Sequence, residues 1–318
     1  MQRLFRVAGY AALLVTPVAL LARSLLVSGV PVQTLGLGSG VVLVGSVAAV
    51  SEQRDIFDGV ESRADRADID TVVAVTVSAS VTYLLSVHAG LGPVVAAALV
   101  GVVAGLGLPD LDTAAYCGSF VGMASPAVFT SVGPVALAGL IAGIAFVAAS
   151  GTFTGFGGKL GTLALFGCLT AGFLTGVHSD VAPVPHWGDI LLTVPVAVAG
   201  AISTGVLSVR WGLGDVLGSA LVGLVAGLLL PVVLPGVGGR AATVAFCASF
   251  VGMSSTDRLE GVVDVGLAGA LCGIVFVAVA PAFVGAGGKL GTTAFVSCVT
   301  LFGAGELWAS RDTPAQRR

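Results

Sequence analysis

The sequence predicts an all-α, polytopic integral membrane protein of about ten transmembrane helices, in which an N-terminal helical hairpin precedes two tandem four-helix repeats. Three observations carry that expectation: apolar blocks of membrane-spanning length, a scarcity of charge and an internal repeat. Of 318 residues, 56% are hydrophobic and 10% are charged, where soluble domains carry roughly a quarter charged residues. A water-facing surface cannot be assembled from so few charges. The apolar residues fall in runs of about 20, enough for an α-helix to cross about 30 Å of hydrocarbon at 1.5 Å per residue.

The first two runs, 7–29 and 33–50, read as the hairpin (residues 1–50). Arginines before the first run give it a superficial likeness to a signal peptide, but no polar mature domain follows, which favours a retained span. The acid-rich stretch 51–69, from Glu52 onward, reads as a cytoplasmic loop whose carboxylates face water. Repeat 1 (70–177) holds spans near 71–89, 92–109, 133–153 and 158–177; repeat 2 (189–307) holds spans near 190–210, 214–234, 266–284 and 288–307. The linker 178–188 carries His178, Asp180 and His186 and reads as a solvated connector, and 308–318 as a cytoplasmic tail. With ten spans and the N-terminus inside, most loop arginines fall on the cytoplasmic side and Arg210 outside, as the positive-inside bias requires for a cell-membrane protein with both termini cytoplasmic.

The repeat is legible without gaps in four places. Leu84-Leu-Ser-Val-His matches Val206-Leu-Ser-Val-Arg, and Ala98-Leu-Val-Gly to Pro109 matches Ala220-Leu-Val-Gly to Pro231, at an offset of 122 residues. Cys117-Gly-Ser-Phe-Val-Gly-Met123 matches Cys247-Ala-Ser-Phe-Val-Gly-Met253, and Gly157-Gly-Lys-Leu-Gly-Thr162 matches Gly287-Gly-Lys-Leu-Gly-Thr292, at an offset of 130. Shared Val, Leu and Ala would follow from composition; shared Cys, Met, Lys and Thr do not. Four spans per copy imply copies of equal orientation, related by a twofold axis along the membrane normal.

Two motifs are candidates for function. The first opens the last helix of each copy and contains the chain's two lysines, Lys159 and Lys289. A glycine-rich helix start exposes N–H groups and a positive dipole end. Gly157, Gly158, Lys159 and Thr162, with Gly287, Gly288, Lys289 and Thr292, are therefore predicted to bind an anion, the lysines facing one another across the axis. The competing reading is close packing through Gly-x3-Gly, with the lysines snorkelling to the headgroups. A phosphate-binding loop fits poorly, since Leu160 and Leu290 follow the lysines where Ser or Thr is needed.

The second motif, Cys117, Ser119, Gly122 and Met123 with Cys247, Ser249, Gly252 and Met253, is too short for a full span. It reads as a re-entrant gate entering from the cytoplasmic side, or as an interfacial helix. A Cu(I) site is disfavoured because Cys and Met six residues apart do not share a helical face. The five cysteines read as buried free thiols.

No metal site, cofactor or catalytic residue is expected: the chain lacks His-Glu-x-x-His and Gly-x-Ser-x-Gly, and its span interiors hold almost no acid. A net charge of −3 without a basic face sets nucleic acid aside. The expected partners are the lipid bilayer and a small solute. A channel or secondary transporter for a small anion is the leading function; a non-transporting membrane scaffold is the alternative, and an intramembrane enzyme comes third.

Overall fold

The computed structural model describes residues 2–26, 31–58, 66–177 and 186–311; the acidic residues 59–65, most of the linker (178–185) and the tail from 312 lie outside the described residues. The described residues are helical, with no strand among them. Twelve α-helices follow in order: α1 Gln2–Leu25, α2 Val32–Asp58, α3 Arg66–Tyr83, α4 Pro93–Gly107, α5 Asp112–Val121, α6 Val132–Ala148, α7 Lys159–Thr175, α8 Ile190–Gly205, α9 Asp215–Val233, α10 Gly238–Ser249, α11 Val262–Ala278 and α12 Lys289–Arg311. The π-helical turns Leu84–His88 and Val206–Arg210 extend α3 and α8. Among the described residues, six helical stretches are long and apolar enough to cross a membrane: Leu4–Leu25, Val32–Gln53, Arg66–His88, Trp187–Arg210, Asp215–Val233 and Lys289–Arg311. The predicted spans on α4, α6, α7 and α11 are shorter apolar helices of 15 to 17 residues.

The molecule is apolar outside and small-residue inside. Leu106, Leu191, Val232 and Phe173 are more than two-thirds exposed, while the packed interior is dominated by alanine. That arrangement would aggregate in water and suits a helical membrane protein, whose helices pack through small residues.

Glycine contacts fix the directions of the helices. A β-carbon on Gly118 would meet Val75 and Ser78 of α3, and one on Gly122 would meet Ala79 and Thr82, so α5 runs in the same direction as α3. Gly139 lies against Thr76 and Gly143 against Val72, so α6 runs opposite. The Tyr83 hydroxyl donates to Phe129 O, which sets the loop after α5 at the far end of α3. Successive helices from α3 to α7 therefore alternate in direction, with α5 as a fifth traverse of the bundle. The same holds in the second half: Gly252 meets Ala201 and Thr204 of α8, whereas Gly269 meets Val198 and Gly273 meets Val194.

The Cys-Met segments lie at the ends of two short helices, α5 and α10, that run alongside α3 and α8. This overturns one expectation. The two halves do not run in the same direction, as copies of equal orientation would. Helices α4 and α9, which share sequence, are antiparallel neighbours: Gly105 packs on Leu217 and Gly227 on Val95. Helices α7 and α12 cross antiparallel, Gly161 on Gly291, Gly158 on Phe295 and Gly288 on Leu165. Asp112 and Asp215 lie near enough for their charges to interact; copies of equal orientation would put them on opposite faces. The physical reason is the odd helix count. Five alternating helices leave the chain facing the other way when the second half begins.

The N-terminal hairpin packs on this bundle through Gly9, against Ala148 and Ala149, and through the close approach of Gly303 on α12 to Val44 O. The Tyr10 hydroxyl donates to Ala49 O at 2.7 Å, and its ring stacks on Phe153 at 5.7 Å.

Candidate functional site

Helix α6 ends at Ala148 and leaves carbonyls without helical donors. The chain then turns through Phe153, whose φ of 47° is a left-handed conformation uncommon outside glycine. That turn brings Lys159 back beneath the end of α6, where its Nζ donates to Ala149 O at 2.9 Å and to Thr152 O. Lys289 does the same after α11, donating to Ala280 O at 2.7 Å, and Phe283 repeats the left-handed turn with φ 46°. Each lysine thus closes the C-terminal end of its neighbouring helix, where a cation is electrostatically favoured.

Each ammonium group is engaged by carbonyls at the end of its own neighbouring helix. Thr162 and Thr292 are fully buried, and their hydroxyls donate within the helix to Gly158 O and Gly288 O at 3.3 and 3.2 Å. The glycines pack as the competing reading expected. A β-carbon on Gly157 would lie 2.1 Å from Phe250 O at the end of α10, and one on Gly287 would lie 2.4 Å from Val121 O at the end of α5. The N-termini of α7 and α12 thus meet the C-terminal carbonyls of short helices from the other half. Opposite helix poles compensate one another where an anion was expected.

The Cys-Met residues line the same junction. Cys117 and Cys247 donate to Leu160 O and Leu290 O at 3.3 and 3.1 Å, and Ser119 and Ser249 each donate to the carbonyl three residues back at 2.7 Å. Gly122 and Gly252 press on α3 and α8, while Met123 and Met253 pack against the core. Between the halves, Tyr116, Phe120, Phe246 and Phe250 form a closed aromatic cluster with ring centroids 4.4 to 6.4 Å apart. One buried hydroxyl chain runs beside it, Tyr116 to Ser219 at 2.9 Å and Ser219 to Ser249 at 2.8 Å. The loops beyond exchange matching backbone bonds: Ser125 N donates to Gly285 O, and Ser255 N to Gly155 O, both at 2.8 Å.

A charged group absent from the sequence-based list sits at the second of these loop pairs. Glu52, expected in a solvated loop, is on α2 and 3% exposed. One carboxylate oxygen accepts from Phe153 N at 2.9 Å and the other from the Arg258 guanidinium at 2.6 Å. The carboxylate also acts electrostatically on Lys159. Burial follows from helix α2 continuing to Asp58, which carries Glu52 past the end of the apolar run and under the loop of Phe153. The usable signal was a break in the repeat: Arg258 stands where the other copy has Val128.

Two cavities are apolar. A groove of about 780 Å³ between α8 and α9 is lined by residues such as Val196, Leu207, Val225 and Leu229, and a smaller one of about 240 Å³ lies between the hairpin and α12. Among the described residues no cluster of three or more His, Cys, Asp or Glu is placed to hold a metal. No protein-family model, curated protein or solved structure matches this chain.

Proposed function

We propose that the chain is a multi-pass carrier of a small solute in the cell membrane, made of two five-helix units, α3–α7 and α8–α12, inserted in opposite orientations after an N-terminal hairpin. The observation that carries this reading is that helices of matching sequence, α4 with α9 and α7 with α12, run antiparallel against one another. Inverted repeats with short or interrupted helices meeting at the bundle centre are a recurrent architecture of secondary transporters. The inference is one of architecture, since fold does not fix function. Twin backbone features support the pairing of the units: the two π-helical turns, the left-handed Phe153 and Phe283, and the reciprocal Ser125 and Ser255 bonds.

With twelve traverses and both termini cytoplasmic, Arg3, Arg6, Arg54, Arg63, Arg66, Arg210, Arg258, Arg311, Arg317 and Arg318 fall inside and Arg23 and Arg240 outside. The positive-inside bias supports that orientation. The loops at Phe153 and Arg258 then face the cytoplasm and those at Val128 and Phe283 face outward. The lysine geometry no longer supports an anionic preference, because both ammonium groups are held by carbonyls. The aromatic cluster and the glycine contact between α7 and α12 close the space between the units, which reads as an occluded state.

That same dry interface favours the scaffold reading. A flux screen of labelled small solutes on proteoliposomes separates the two. Uptake above protein-free vesicles, abolished by Gly161→Leu at the α7–α12 contact while the protein still inserts, supports the carrier; no flux for any solute class favours the scaffold.

A further inference from the structure

The pocket around Glu52 has the makings of a ligand site whose occupant is covalently attached. Its two donors come from opposite units, the N–H of Phe153 from the first and the guanidinium of Arg258 from the second, with the ammonium of Lys159 near enough to act electrostatically. Arg258 is fixed before the carboxylate is considered. Its Nε donates to Thr154 O at 3.0 Å, and its guanidinium lies over the rings of Phe156 and Phe302, 4.4 and 5.2 Å from their centroids. The Phe153 N–H is fixed too, presented by a left-handed turn that the matching Phe283 adopts without an arginine opposite it, since Val128 stands there. The receptor is thus preformed, and it fits the two oxygens of one carboxylate. A partly buried arginine with its anion removed would lose its charge partner, at a cost in stability.

We propose that the Phe153–Arg258 pocket is a carboxylate-binding site joining the two units, with Glu52 as its built-in occupant, so that the N-terminal hairpin latches the cytoplasmic side shut. The binding half of this stands on contacts alone; the latch rests on the carrier reading above. Opening the cytoplasmic side parts the loop of Gly155 from that of Ser255, and Glu52 bridges those two loops. A small carboxylate of high enough concentration takes the same two donors once Glu52 is gone.

The test uses the full chain in detergent. Glu52→Ala vacates the pocket and is expected to lower the melting temperature. Sodium acetate, but not sodium chloride at equal ionic strength, then restores it saturably, while wild type does not respond and Glu52→Ala with Arg258→Gln does not respond. An acetate response identical in wild type and Glu52→Ala overturns the site. If Glu52→Ala does not fold, the cycle of Glu52→Gln and Arg258→Gln replaces it: strong non-additivity supports the pairing and simple additivity overturns it. The latch is read separately, from labelling of Ser255→Cys in a background without native cysteines by an impermeant reagent from the cytoplasmic side. Faster labelling in Glu52→Gln supports the latch. Unchanged labelling together with acetate rescue rejects the latch and leaves the carboxylate site standing, while the carrier reading is decided separately by the flux screen.

Discussion

Replacing Gly161 by alanine tests the contact on which the two halves close. A β-carbon there would lie 2.5 Å from Gly291 Cα, 3.0 Å from Gly291 N and 3.1 Å from Gly288 O. All three neighbours are backbone, so no side chain can swing aside. Ordinary carbon contacts lie near 3.5–4.0 Å, so α7 and α12 must part by about 1 Å. Overpacking of this kind costs about 1–3 kcal/mol, with the upper end expected where both surfaces are rigid. Alanine gains at most about 1 kcal/mol over glycine from helix propensity. A net loss of about 2 kcal/mol follows, read as a melting temperature lower by roughly 4 °C in detergent. Gly40→Ala is the matched control: it lies within α2 with no atom within 4 Å, and it should be neutral or stabilising. Gly161→Ala melting at or above wild type would refute the close antiparallel crossing.

Lys159→Met and Lys289→Met should lose stability, each by about 1.5–3 kcal/mol for bonds from a charged donor, with Lys159→Met the worse because two carbonyls lose their donor rather than one; thermal melts check the order. Ser219→Ala should cost about 1–3 kcal/mol by stranding the buried Tyr116 hydroxyl, and adding Tyr116→Phe should recover part of it. Cys247 and Cys272, with sulfurs 3.6 Å apart, should be joined by a membrane-permeant oxidant, and mass spectrometry should find two of the five thiols lost.

Much of the architecture can be read from residue order. Hydropathy alone locates six long apolar helices and four shorter ones, because lipid-facing surface demands apolar runs. Matched Cys, Met, Lys and Thr disclose which segments pair. The short helices α5 and α10 escape the same reasoning for a physical reason. The 20-residue rule describes a helix that must cover its own backbone from lipid, whereas these are wrapped by protein, with Tyr116, Cys117, Phe246 and Cys247 fully buried. Missing those two traverses flips the second unit, so a miscount of one helix per copy becomes an error of symmetry. The lysines mislead differently. Pattern shows that they sit at glycine-rich helix starts, but their partners are carbonyls of a loop whose path depends on the left-handed Phe153 and Phe283, and an aromatic residue gives no sign of that conformation. Glu52 is hidden because α2 continues to Asp58, beyond the apolar run that ends at 50, and that continuation turns a solvated acid into a buried one.

The inverted relation of residues 70–177 and 189–307 is tested most directly by topology reporters inserted after residues 55, 182, 212 and 315. An odd number of traverses in the first unit predicts a periplasmic or extracellular signal at 182 and cytoplasmic signals at 55, 212 and 315. A cytoplasmic signal at 182 with an external one at 212 would contradict it and restore two units of equal orientation.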